Sequence, residues 1–169
     1  MMREVVQRLK TQLSRLEHAT DRLQRHERKL FENCVSALAA GDRARGTLYA
    51  NECAEVRKIL RLLLKSRLAL EQILLRLETV ENQGDLIATS PYIQAISAVR
   101  HTLASIIPEV AYELGQAEDE LVDMLRKAYE STGLTPNLET EEAKRILAEA
   151  DAVAEQRLRD RLPDIPEVR

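Results

Sequence analysis

Three histidines (His18, His26, His101) and two cysteines (Cys34, Cys53) are the side chains of this sequence best suited to ligate a metal or act as a nucleophile. A helical di-metal site needs Glu-x-x-His pairs on facing helices. Arg15, Leu23 and Ala98 stand three positions before the histidines, so no such pair exists. Surface positions are expected for all three. Carboxylates four apart occur at Glu17/Asp21, Glu81/Asp85 and Asp119/Asp123. With no His or Cys ligand beside them, they read as solvated helix faces. The cysteines are expected as small apolar residues in a helix seam, level near a turn, and a disulfide is the lesser alternative. No Gly-rich phosphate loop, nucleophile elbow or Cys-x-x-Cys is present. The chain reads as a non-enzyme with no metal and no cofactor.

Two other patterns carry more chemistry. Arg8, Arg15, Arg22 and Lys29 recur every seven residues, with Arg25 and Arg28 near the same line. On a helix such a line can attract an anionic membrane surface, at about 1 kcal/mol per charge. It can equally bind nucleic acid phosphates, or simply be a solvated face with pairs such as Asp21/Arg25. With 3% aromatic residues, stacking on single-stranded nucleic acid is not expected. At the other end, Leu162, Ile165 and Val168 are spaced three apart, and Pro163 and Pro166 stand between them. The prolines favour an extended segment that docks its apolar residues into a groove at reduced entropy cost.

These residues need elements to hold them. The 169 residues are 31% charged and 44% hydrophobic, with five Gly, five Pro, one Phe and no Trp. That is the composition of long helices or coiled coil. It predicts an extended shape whose apolar surface is buried largely against partners. No stretch nears the ~20 apolar residues of a membrane span, and the first residues lack a signal-peptide block. The two cysteines are too few for a disulfide framework, so a cytoplasmic location is expected. Residues 1–78 carry 16 Lys+Arg against 10 Asp+Glu, whereas residues 79–169 carry 9 against 18. The acidic half is suited to cover the basic one.

The fold class is all-α. Leu9, Leu16, Thr20, Leu23, Glu27 and Leu30 belong to a heptad seam on a helix over about 2–39, and Cys53, Val56, Leu60, Leu63, Leu70 and Leu77 to one over about 43–82. Gly41 and Asp42 supply the C-cap and N-cap between them. Leu9/Leu77, Leu16/Leu70 and Leu23/Leu63 share one residue-number total, 86. A single antiparallel register therefore aligns the arms, each on the order of 55–60 Å long. Glu27 and Arg67 in the seam should be partly exposed, or paired between subunits. The second arm is apolar on two sides, and a later helix or another subunit must cover the extra face. Ser90 and Pro91 open a third helix, to about residue 107. Pro108 ends or kinks it, a fourth follows over about 109–130, and residues 133–136 form a linker. Thr140 caps a fifth helix, over about 141–159. The expected divisions are a basic hairpin over 1–83, acidic helices over 84–131, a linker and fifth helix over 132–160, and a proline-rich tail over 161–169.

From Ser14 to Val80, and above all in LYANECAEVRK (Leu48–Lys58), the sequence resembles the archaeal ESCRT-III-like proteins of the cell-division protein B group. The resemblance implies a long antiparallel helical hairpin followed by shorter helices, polymerising with itself or with paralogues. It implies a filament that remodels or constricts membranes in archaeal cell division or vesicle budding. In that scheme Arg8, Arg15, Arg22, Arg25 and Lys29 face an anionic membrane, nucleic acid is not a partner, and the acidic half restrains assembly. The tail residues Leu162, Pro163, Ile165, Pro166 and Val168 resemble the family's motif for the MIT domain of a AAA+ disassembly ATPase. The implied location is cytoplasmic, peripheral at the inner membrane surface, at the division site. The chain is expected to be a shorter paralogue without a winged-helix extension. The alternative is a coiled-coil scaffold without membrane function.

Overall fold

In the computed structural model, residues 1–131, 133 and 140–168 are described; the expected linker residues Leu134, Thr135 and Pro136 lie outside them. Helix α1 spans Met2–Ala39 and α2 spans Arg43–Gln83. The turn between them is built as the residue types dictate. Gly41 has φ +76°, which costs a glycine little. Its N–H donates to the Leu38 carbonyl at 3.1 Å, and the Asp42 N–H donates to the Ala37 carbonyl at 2.9 Å. This pair of bonds is a Schellman motif. The Asp42 carboxylate then accepts the Arg45 N–H at 3.1 Å, capping α2.

Along the body of the hairpin the cross-arm pairs bracket the expected total of 86, and at the tip the register departs from it. Cross-arm partners total 88 at Lys10/Glu78, 84 at Glu17/Arg67 and Glu27/Arg57, and 80 at Cys34/Gly46. A turn centred on Gly41 forces a lower total at the tip than the heptads suggest. The two cysteines are accordingly not partners. Cys34 Sγ donates to the Gly46 carbonyl at 3.4 Å, and Cys53 Sγ to Glu27 Oε1 at 3.4 Å. Both thiols are free and buried.

Later helices cover much of the second face of α2. A 3₁₀ turn over Leu86–Thr89 leads into α3, Ser90–Leu103. Ser90 is not the N-cap expected: its hydroxyl donates to the Ile87 carbonyl in that turn, and α3 starts with it. Helix α3 also ends four residues earlier than expected, at Leu103, because residues 104–107 form the corner before Pro108. Pro108 takes the first position of α4, Pro108–Glu130, where its missing N–H costs nothing. Thr140 caps α5, Glu141–Arg161, by accepting the Ala143 N–H at 3.2 Å.

The topology follows from the partners. Helix α3 runs from the open end of the hairpin toward the tip, α4 returns along α1, and α5 runs tipward against α2. Gln72 meets Glu149, Lys65 meets Asp151 and Glu155, and Arg61 meets Glu155. The main core gathers Leu9, Leu70, Ile73, Ile96, Leu114 and Leu121, all at most 1% exposed. Ala143, Ala150 and Ala154 are also buried, and their small side chains bring α5 close to its neighbours. Alanine and leucine packing thus replaces aromatic mass, while helices of 38 and 41 residues keep the hairpin long, as expected. What stays exposed on α2 includes Leu48 (58%), Ile59 (38%), Leu62 (39%) and Leu75 (66%).

Candidate functional site: a basic face and a docked tail

The basic line on α1 is not uniform. A seven-residue repeat on a helix of 3.6 residues per turn drifts by about 20° per heptad. At its start the line faces α4, and further along it faces outward. Arg8 is half-buried and reaches Glu113 Oε2 at 3.4 Å and Glu120 Oε1 at 2.9 Å, both on α4. Arg15, Arg22, Arg25, Arg28 and Lys29 are exposed, and no ion pair is found for them among the described residues. Only the first of the expected membrane-facing residues is therefore covered by acidic side chains. His18, His26 and His101 are exposed. Among the described residues no three His, Cys, Asp or Glu cluster as metal ligands, and no helix is long and apolar enough to cross a membrane.

The seam charges resolve within the chain. Arg67 pairs with Glu71 at 3.2 Å and lies 3.9 Å from Glu17. Glu27 is buried, and its Oε1 accepts from Arg57 Nε at 3.0 Å and Nη2 at 2.9 Å. Both are thus paired within the chain, Glu27 by a guanidinium of the facing arm and Arg67 mainly by Glu71 one turn along its own helix. Burial first, and then the hydrogen bond to Glu27, push the Cys53 thiol up to about 11, against the opposing pull of Arg57.

The tail, Leu162 to Val168, forms no regular element, leaves α5 with extended angles at Leu162, and lies on its own hairpin. Leu162 packs on Leu60, Leu64, Ala154 and Leu158. Ile165 packs on Leu30, Cys53 and Val56, beside Phe31 and Tyr49. Between them the Pro163 carbonyl accepts from Arg57 Nη1 at 2.6 Å. Pro163 itself is exposed, while Leu162, Ile165, Pro166 and Val168 are half-buried. A cavity of about 510 Å³ lies beside this stretch, lined by Gln24, Glu27, Arg28, Phe31 and Pro163 among others. Leu162, the Pro163 carbonyl and Ile165 are thus held on the hairpin that carries the basic line. Sequence reasoning expected these residues to dock on another protein; here Leu162 and Ile165 pack on the chain's own hairpin, a receptor it did not identify. The one signal for it was Glu27, a charge in an apolar seam that needs a cation.

No family model and no solved structure matches the chain. Cell division protein B1 of Sulfolobus acidocaldarius is 38% identical over 162 residues, which cover 94% of this chain and 76% of that protein. Cell division protein B of the same organism is 32% identical over 170 residues, covering 96% of this chain and 64% of its own length. The similarity runs through the hairpin, the later helices and most of the chain, and the all-α fold agrees with it: the chain belongs to the cell division protein B family.

Proposed function

We propose that this protein is a filament-forming, ESCRT-III-like component of archaeal cell division that remodels membranes and is taken apart by a AAA+ ATPase. The names of its relatives support the division role. The membrane role rests on one observation: an exposed run of Arg15, Arg22, Arg25 and Lys29 on a rigid helix, without acidic partners among the described residues. At about 1 kcal/mol per charge near an anionic surface, four such residues supply binding that salt weakens strongly. The arrangement reads as the closed form. The acids of α4 hold Arg8, α5 covers part of α2, and the tail lies on the hairpin. In the open form Ile59, Leu62 and the surface under α5 become contacts for another copy or a paralogue. The protein then acts from the cytoplasm, peripherally at the inner membrane surface of the division site or of a budding vesicle, without catalysing a reaction itself.

Co-sedimentation with anionic vesicles tests this. The full chain should pellet with vesicles at low salt and be released near 0.5 M salt. The charge-reversed variant Arg22→Glu/Arg25→Glu/Lys29→Glu, which touches no core residue, should stay in the supernatant. No pelleting of the wild-type chain at low salt removes the membrane role and leaves a helical scaffold.

A further inference from the structure

Arg57 is the point where the hairpin seam and the tail meet. Its guanidinium, on a side chain 15% exposed, gives two N–H groups to Oε1 of Glu27, which is 6% exposed. Its face lies over the Phe31 ring, 5.6 Å from the centroid. The remaining edge, Nη1, points out of the seam and donates to the Pro163 carbonyl at 2.6 Å. The apolar side chains on either side of that carbonyl, Leu162 and Ile165, enter separate clusters toward the two ends of this stretch. A guanidinium is a rigid fork, so fixing one edge aims the other. A lysine has no such fork.

We propose that Arg57 is the receptor for the tail, and that Glu27, whose hydrogen bonds go to Arg57 and Cys53 and not to the tail, is the positioning residue that aims it. The groove thereby reads a stated chemistry. It takes an extended segment that presents a main-chain carbonyl between two apolar side chains three residues apart. A proline at the carbonyl-bearing position suits it, because this residue needs no N–H and is held extended. The inference deepens the closed-state reading above but does not depend on membrane binding. Vesicle binding can fail while tail docking by Arg57 stands, and the reverse.

The test is NMR on the full chain, reading the docked-to-free ratio of the tail from the Ile165 δ1 methyl, which packs on the same cluster as Phe31 and Tyr49. The Val5 and Val6 methyls at the open end report the hairpin, and Leu162→Asp supplies the released reference. Arg57→Lys keeps a cation for Glu27 but loses the aimed donor. It should lower the docked ratio by about tenfold, the worth of one charge-assisted hydrogen bond. Glu27→Met should lower it in the same direction, although residue 27 makes no hydrogen bond to the tail. Glu27→Gln, whose amide oxygen can still accept from Arg57, should restore part of it. Two results overturn the proposal. One is a wild-type docked ratio in Arg57→Lys. The other is tail and hairpin signals of Glu27→Met lost in equal proportion, with no partial recovery in Glu27→Gln, which reduces Glu27 to a structural ion pair. If Glu27→Met does not fold, Arg57→Lys alone decides.

Discussion

Cys53 shows how one buried atom reports on the seam around it. Its thiol is fully buried, and its proton is held by the Glu27 carboxylate at 3.4 Å. Burial and that hydrogen bond both favour the neutral thiol, and together they raise it to about 11. A raised acid binds its proton more tightly folded than unfolded. Its contribution is therefore fully present below the unfolded value and is lost as pH rises through the folded one. The urea midpoint of the wild-type chain should fall between about pH 9 and pH 11 relative to that of Cys53→Ala. Tyr92, raised by burial and then by Glu142, adds a slope of the same sign. Both proteins share it, so the difference isolates Cys53. Equal slopes would mean that the thiol binds its proton no more tightly in the folded chain than in the unfolded one. At pH 8 iodoacetamide should modify Cys53 only as fast as the seam opens.

Among the elements, the hairpin turn tests how much of the fold the sequence specifies locally. Nothing lies within 4 Å of a Cβ built on Gly41, whose φ is +76°. Substitution there is thus a backbone effect without a packing effect. Gly41→Ala should lower stability by about 1–2 kcal/mol, seen as a lower thermal midpoint. Gly41→Asn should cost clearly less, since Asn tolerates the left-handed region. Equal losses in the two variants would show that the turn is held by something other than its φ. This turn was legible before the structure because Gly and Asp act through their own backbones. So were the two heptad seams, whose faces the arms use as expected. Which residues lie level near the tip was not legible. Heptads fix which side of a helix faces its partner, while the turn fixes which residues lie level, and the cysteines separated for that reason. Ser90 failed as a cap because a hydroxyl can serve either a helix start or the turn before it, and the 3₁₀ turn over Leu86–Thr89 decided between them. The basic line was legible as a line. That Arg8 alone meets α4 depends on drift along the helix and on where α4 lies, and neither is a local property.

For the whole molecule, the issue is what the tail can do while it is docked. Its spacing announced a segment that inserts apolar side chains into a groove. Spacing cannot say whose groove, and in the structure it is the chain's own. Leu162 and Ile165 are turned into the hairpin, and the Pro163 carbonyl is taken by Arg57. A MIT domain that binds these same side chains must compete with the hairpin, and the binding energy it gains is reduced by the energy of undocking. If the closed state is populated 100-fold over the open one, the apparent affinity falls by about 100-fold. A free peptide of residues 157–169 escapes that competition. It should therefore bind the MIT domain of the disassembly ATPase more tightly than the full chain does, by calorimetric titration of each. Arg57→Lys should close most of the gap, because it loosens the tail and leaves every tail residue unchanged. Equal affinities for peptide and full chain would mean that the tail is free in solution or that the ATPase uses another surface. On the proposed function, competition of this kind would tie disassembly to the assembled state: a closed subunit would hide the tail, and one opened into a filament would present it to the ATPase.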